Sequence, residues 1–307
     1  MNKLISVAMA TYNGSKYLSE QLDSIINQAY KNIEIIIVDD FSSDNTIEII
    51  KNYQQHFSFI HVYQNSRNIG VVKSFEKAMS LCSGEYIALS DQDDVWLPHK
   101  LATLLDNIGD ALLIHSDAKL KDEYDNMIAK SHFNYSKKTI NCRFSDYLVA
   151  NNVTGCCLML KKELLELMPP IPDGFYIHDH YLALVASYYG TIKFLDKPLV
   201  IYRQHLSNSI GAKHPKYSEF IKLCKTKADS YDLLLSAKIF PNKIRTVKII
   251  RDYRLSIYTG SWVGDYSIFR LLFMPKGLRL VFYYLLMAGF KNRNISKTIY
   301  NFIYKIK

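Results

Sequence analysis

Short β-branched apolar runs alternate with amphipathic stretches over the first part of the chain. Residues 4–10 (LISVAMA) and 33–38 (IEIIIV) are near-continuous apolar runs, the pattern of strands buried on both faces of a parallel sheet. Between them, residues 16–28 put Leu18, Leu22, Ile25 and Ile26 on one helical face, so the segment predicts a β-α-β unit. The alternation continues with a helix over 44–53, a strand over 59–63, a helix over 71–81 and a strand over Tyr86–Ser90. Residues 111–115 predict a further strand, and 153–160 (VTGCCLML) is again apolar, followed by a short helix that stops at Pro169-Pro170-Ile171-Pro172. Residues 181–189 are expected to be helical, 192–195 a short strand, and 197–205 to lead out of the sheet, while 117–150 is polar and without clear periodicity. Elements alternating with short connections define an α/β protein with a doubly wound, mostly parallel sheet and helices on both faces.

In such sheets ligands bind beyond the carboxyl ends of the strands. Three of these ends carry chemistry: Thr11-Tyr12-Asn13-Gly14, Asp39-Asp40, and Asp91-Gln92-Asp93-Asp94. Asp91 and Asp93 are two residues apart, so extended backbone sets them on one face. A divalent cation that prefers oxygen, Mn²⁺ or Mg²⁺, suits such a site and leaves room for phosphate oxygens. Asp94 is expected mainly to cap a helix beginning near Leu97-Pro98. Only Gly14 follows the first strand, and no glycine-rich phosphate loop is present, so phosphates are expected to be held through the metal. Asp39 and Asp40 exceed what one helix cap needs, which favours contact with a base N–H or a ribose hydroxyl.

Composition adds a second feature. Residues 213–307 hold 19 Lys+Arg and 5 Asp+Glu, a net of +14; the whole chain has 38 and 29, leaving 19 and 24, a net of −5, for residues 1–212. An acidic first part and a basic end predict chemistry with a cation and attraction to an anionic surface. The domain edge is placed near residue 210, giving 1–212 and a helical, basic 213–307. Within the latter, 268–274 and 278–290 are apolar and aromatic with Arg270, Lys276 and Arg279 among them, a pattern suited to helices lying in a membrane interface. The longest apolar run, 280–290, is too short to span a bilayer, and the start lacks a leader pattern. The expectation is a cytoplasmic, peripheral protein. The five cysteines show no C-x-x-C spacing, so reduced, buried thiols are expected and no zinc site.

The segments VAMATYNGSKYLSEQLDSIINQ, IIIVDDFSSDNT, NIGVVKSFEKA and SGEYIALSDQDDVWLPHKL resemble, in order and spacing, the inverting family 2 glycosyltransferases of GT-A fold. With NNVTGCCLML, HDHYLALVASYYG and YRQH, the set is most similar to the bacterial rhamnosyltransferase-like branch and covers residues 3–212. The resemblance implies a metal-dependent transfer of a sugar, rhamnose favoured, from a nucleotide sugar (dTDP-rhamnose or a UDP-sugar). The acceptor would be a hydroxyl of a glycan or a polyprenyl-diphosphate-linked molecule in surface polysaccharide synthesis. It assigns the D-x-D pair to Asp91, on the ribose side, and Asp93, on the metal, with His205 of YRQH as a further ligand. Thr11, Tyr12, Asn13, Asp39, Asp40 and Gln92 fall on the nucleotide. Asp179 matches the catalytic base; the glutamate that usually precedes it is His178 here.

Two rivals remain at this level. A sugar nucleotidyltransferase shares the sheet, metal and nucleotide, but ATYNGSKY lacks the glycine-rich loop of those enzymes. A non-catalytic nucleotide-binding protein with a nucleic-acid-binding tail conflicts with Asp93 and Asp179 at the motif positions. The tail's many aromatic and aliphatic residues argue against nucleic acid as a partner.

Overall fold

The computed structural model describes residues 3–140, 142–205 and 216–259. Chain contacts divide it into two compact units, Met1–Ile171 with Ile177–Ala212, and Pro172–Tyr176 with Lys213–Lys307.

The first unit begins with β1 (Ile5–Thr11), α1 (Leu18–Ile26), β2 (Ile33–Asp39), α2 (Thr46–His56), β3 (Ile60–Gln64), α3 (Val71–Ser80) and β4 (Tyr86–Ser90). The apolar runs become strands because both faces are covered: every residue of β4 is buried, and so is nearly all of β1 and β2. The next elements are the two-residue β5 (Val95–Trp96), α4 (Lys100–Ile108), β6 (Leu113–Asp122), β7 (Met127–Ala129), α5 (His132–Tyr135) and α6 (Phe144–Val149). A 3₁₀ turn at Gly155–Cys157 leads to β8 (Leu158–Lys161), α7 (Lys162–Leu167), α8 (His178–Tyr189) and β9 (Ile192–Gln204).

One sheet of nine strands runs in the order β3-β2-β1-β4-β8-β6-β9-β5, with β7 paired to β6. The pairings set β8, β5 and β7 against the direction of the other strands, so the sheet is mixed but mostly parallel, with helices on both sides. Strands β1, β2, β3 and β4 all point their carboxyl ends to one edge.

The second half departs from the sequence expectation in three places. Residues 153–160 are not one apolar element but a tight turn and then β8, which runs antiparallel between β4 and β6. The strand expected at 111–115 continues to Asp122 and turns back as β7. Residues 197–205 do not leave the sheet: β9 stays paired with β6 as far as Gln204. The register shifts around Asp117, which faces Pro198. Proline has no N–H for the ladder, and a bulge accommodates it without ending the strand.

The second unit contains α9 (Tyr217–Ser236) and α10 (Ile244–Thr259). Cys224, Ala228, Tyr231 and Leu234 of α9 are buried, as are Val247, Ile250 and Tyr253 of α10. These faces follow the helical period of the sequence. The expected domain edge near residue 210 and the apolar segments 268–274 and 278–290 lie outside the described residues. Among the described residues no helix is long and apolar enough to cross a membrane.

Candidate active site

The loops at the ends of β1 and β2 are fastened to each other. Asp39 is fully buried; its Oδ1 accepts from Thr11 Oγ1 at 3.0 Å, and its Oδ2 accepts from Ser42 N at 3.0 Å and Gln64 Nε2 at 3.2 Å. Asn13 N donates to Ser42 Oγ and Ser43 N to Asn13 Oδ1, both at 2.9 Å. Gln92 clasps the Tyr12 backbone with both ends of its amide, accepting from the N–H at 2.9 Å and donating to the carbonyl at 3.0 Å. A Cβ on Gly14 would lie 2.1 Å from Gln92 Oε1, so glycine is needed there for the clasp to close. The result leaves Tyr12 and Phe41 projecting, 49% and 54% exposed. Phe41 and Asn13 both adopt left-handed backbone, with φ of 66° and 48°, a conformation that costs a bulky residue about 1–2 kcal/mol.

Asp40 differs from its expected place at a nucleoside. It is 3% exposed; Oδ1 accepts from Asn65 Nδ2 at 2.9 Å and Ile69 N at 2.8 Å, and Oδ2 from Gly70 N at 2.8 Å. A carboxylate held at the N-terminus of a helix is stabilised by its free N–H groups, and α3 begins at Val71, so Asp40 anchors that helix. Asp94 also departs from expectation, for it caps nothing. α4 starts at Lys100 with no side-chain cap, and Asp94 is fully buried, with Oδ1 accepting from Arg203 N at 3.1 Å and Oδ2 unpartnered.

The remaining carboxylates gather beyond β4. Asp91 is half-buried, and desolvation first, then the charges of Asp94, Asp93 and Asp179, push its carboxyl well above the usual range. Asp93 Oδ2 lies 2.9 Å from His205 Nε2, at the end of β9, with both side chains mostly covered, 14% and 9% exposed. Tyr17 stacks on the His205 ring at a centroid distance of 5.0 Å. Asp93 and His205 are 112 residues apart in sequence; the antiparallel pairing of β5 with β9 brings them together. Oxygen and nitrogen donors already within one hydrogen bond of each other fit a divalent ion such as Mn²⁺ or Mg²⁺.

Asp179 stands in the first turn of α8, half-buried. Oδ1 accepts from Asn151 Nδ2 at 2.9 Å and Oδ2 from Gly155 N at 3.0 Å. Burial raises its carboxyl above the ordinary value, against the pull of Lys138 and of those hydrogen bonds. Its neighbours are not further acid–base groups. His180 is buried with Nε2 on Tyr147 O at 2.6 Å. His178 stacks on Phe75 with ring centroids 4.0 Å apart, and burial drops its pKa to about 3, so it is neutral.

Sequence reasoning passed over four residues of this site. Asn151 was legible only as part of NNVTG, and Phe41 only as a bulky residue in a turn that glycine or asparagine would favour. Lys138 lies in the stretch that carried no periodicity; its Nζ donates to Thr154 Oγ1 at 2.5 Å. Lys100 closes the same DQDDVWLPHK run that holds the carboxylates and is fully buried.

Comparison with known proteins bears on the family and the fold. The family model for glycosyl transferase family 2 matches residues 6–168. Over 220 residues the chain is 33% identical to the dTDP-rhamnosyl transferase RfbG of Shigella flexneri, covering 66% of this chain and 74% of that protein. It is 31% identical over 286 residues to the glycosyltransferase GlyG of Streptococcus pneumoniae serotype 4, covering 84% and 90%. Among solved structures, S. aureus TarS 1–349 in complex with UDP superposes with a TM-score of 0.58 at 18% identity, covering 97% of this chain and 91% of that one. The mannosyltransferase PcManGT from Pyrobaculum calidifontis, in complex with GDP-Man and Mn²⁺, gives 0.56 at 15%, covering 99% and 88%. At those identities the structural likeness speaks for the GT-A fold. The family match spans more than half of the chain and the fold is the expected one; the chain belongs to glycosyl transferase family 2.

Proposed function

We propose that the chain transfers a sugar, rhamnose in first place, from a nucleoside-diphosphate sugar to a hydroxyl of a glycan or lipid-linked acceptor, with inversion and in the presence of Mn²⁺ or Mg²⁺. The observation that carries the reading is the Asp93–His205 pair, 2.9 Å apart and mostly covered, an oxygen and a nitrogen donor set for a divalent ion in a chain of glycosyl transferase family 2. The 33% identity to a dTDP-rhamnosyl transferase supports rhamnose, and the relative with GDP-Man and Mn²⁺ supports the metal.

In this reading Tyr12 and Phe41 offer exposed rings to the base, on loops that Asp39, Ser42 and Gln92 keep fixed. Asp91 accepts from the ribose side. Asp93 and His205 hold the divalent ion, which when bound supplies positive charge to the departing diphosphate. Asp179 takes the proton from the acceptor hydroxyl as that oxygen attacks the anomeric carbon, and the bond to the diphosphate breaks on the opposite face. A raised carboxyl is the stronger base for this step, and Asn151 with Gly155 N–H aims it.

The surplus of basic residues in 213–307 supports a further element, docking on an anionic leaflet where a polyprenyl-linked acceptor resides. Each basic residue near such a surface contributes on the order of 1 kcal/mol. Incubation with dTDP-rhamnose, UDP-sugars and a lipid-linked acceptor, with and without Mn²⁺, tests the activity by released nucleoside diphosphate. Release of pyrophosphate, or no turnover with any donor, overturns it. Flotation with anionic liposomes tests docking, and failure to float at low salt removes that part.

A further inference from the structure

The polar stretch between β6 and β8 shows no periodicity in sequence, and its role becomes visible at the turn that holds Asp179. Asn151 Nδ2 donates to one oxygen of that carboxylate and Gly155 N to the other. Asn151 is itself set by the turn, since its Oδ1 accepts from Val153 N at 3.1 Å. The backbone at Thr154 is extended, with φ −124° and ψ 123°, and side chains along extended backbone alternate in direction. Residues 151 and 155 meet Asp179, whereas residues 152 and 154 meet the loop after α5.

Asn152 is buried. Its Nδ2 donates to Thr139 Oγ1 at 3.2 Å and to Cys142 Sγ at 2.9 Å, and its Oδ1 accepts from Thr139 N at 3.4 Å. Lys138 Nζ donates to Thr154 Oγ1 at 2.5 Å. The loop is in turn fastened to the sheet. Lys138 N donates to Phe133 O at 3.0 Å, and Phe133 N donates to Asp117 Oδ1 of β6 at 2.8 Å. The Phe133 ring stacks on Phe194 of β9 with centroids 4.0 Å apart. A line of direct contacts therefore runs from β6 and β9 through α5 to the back of the turn. Residues 151–154 form no helix or strand of their own, so these side chains, rather than a backbone ladder, fix where the two donors to Asp179 stand.

We propose that Asn152 and Lys138 are positioning residues for transfer, which brace the turn at residues 151–155 from behind and so hold both oxygens of Asp179 in place. The catalytic part of this inference rests on the function proposed above; the brace itself does not.

The brace is tested without substrate, by amide hydrogen exchange of ¹⁵N-glycine-labelled protein. In Asn152→Ala and in Lys138→Met the Gly155 amide loses protection by about tenfold or more. The Gly84 amide, bonded to Ser6 Oγ at 2.8 Å elsewhere in the same unit, keeps its protection. Unchanged protection at Gly155, or an equal loss at both amides, overturns the brace. The catalytic part is read by steady-state kinetics. In Asn152→Ala kcat falls about tenfold to a hundredfold while the donor KM stays within about twofold, because a displaced base costs rate and not donor binding. In the Asp179→Asn background the same change lowers the residual kcat by no more than about twofold, since residues acting through one group are not additive. Damage unrelated to the base would lower the rate equally in both backgrounds, and that result, or an unchanged kcat, overturns the positioning role. If Asn152→Ala does not fold, Lys138→Met carries the same readouts. Absence of transfer by the wild type with any donor would overturn the functional reading, and the exchange measurement would still decide the brace.

Discussion

The two halves of the sheet are built differently. On one side, β3, β2, β1 and β4 are parallel neighbours, and the loops at the ends of β1, β2 and β4 are tied to one another by hydrogen bonds. On the other, β8, β6, β9 and β5 mix directions, and that side together with α8 and the turn at Gly155–Cys157 supplies His205 and Asp179. The first half uses acidic residues as fasteners: Asp39 and Asp40 are buried with their oxygens on protein donors, and what projects is aromatic. The second half keeps its carboxylate half-covered and raised by burial. A rigid platform suits binding, whereas a desolvated base suits a step whose charge changes in the transition state. The contrast predicts that damage to the first half appears in donor affinity and damage to the second in turnover.

The largest effect is expected at the seam. Asp93→Asn should abolish transfer and weaken both Mn²⁺ and nucleotide binding, measured by titration calorimetry; full activity of the wild type in excess EDTA would remove the metal from this picture. Next, Asp179→Asn should lower kcat by about 10²–10⁴-fold, with the donor Kd little changed. Loss of nucleotide affinity with turnover preserved at saturation would break the comparison between the halves. The same residue fixes a pH signature. Because burial raises its pKa, the acid limb of kcat/KM should fall as protons titrate a group above the ordinary aspartate value of about 3.9. That limb should vanish from the residual activity of Asp179→Asn, and its persistence would assign the base elsewhere.

Smaller changes sharpen the platform side. Gly14→Ala drives a methyl into the end of the Gln92 side chain, which can swing aside only by giving up its two bonds to Tyr12, a loss of about 1 kcal/mol each at most. Donor KM should rise while kcat at saturation holds, and an unchanged KM would show that the clasp on Tyr12 is idle. Phe41→Gly should act in opposite directions on two measurements. Relief of left-handed backbone stabilises the fold by about 0.5–1 kcal/mol, after allowing for the added freedom of the unfolded chain. Nucleotide affinity should fall with the lost ring. If stability rises and affinity does not change, Phe41 has no part in binding the base.

The sequence by itself determined the parallel half and the edge at which its polar strand ends gather. Continuous apolar runs have one reading when helices separate them, since such strands must be covered on both faces, and the loaded strand ends then fall at one edge. The positions of Thr11, Asp39 and the DQDD segment at strand ends were legible for that reason, because local periodicity sets both the strand and the place where it stops; that Thr11 and Asp39 are buried against each other, and not turned to a nucleotide, was not. Tertiary structure decided the rest. β8 inserts backwards, β9 continues past Pro198, and β5 pairs with a strand far along the chain; none of these follows from periodicity, because strand direction depends on which partner supplies the ladder. The fates of Asp40 and Asp94 were likewise invisible. An aspartate after a strand looks the same whether it meets a ligand, a helix terminus or the backbone N–H of a distant strand, and only the packing around it chooses, by the donors it presents and the water it excludes.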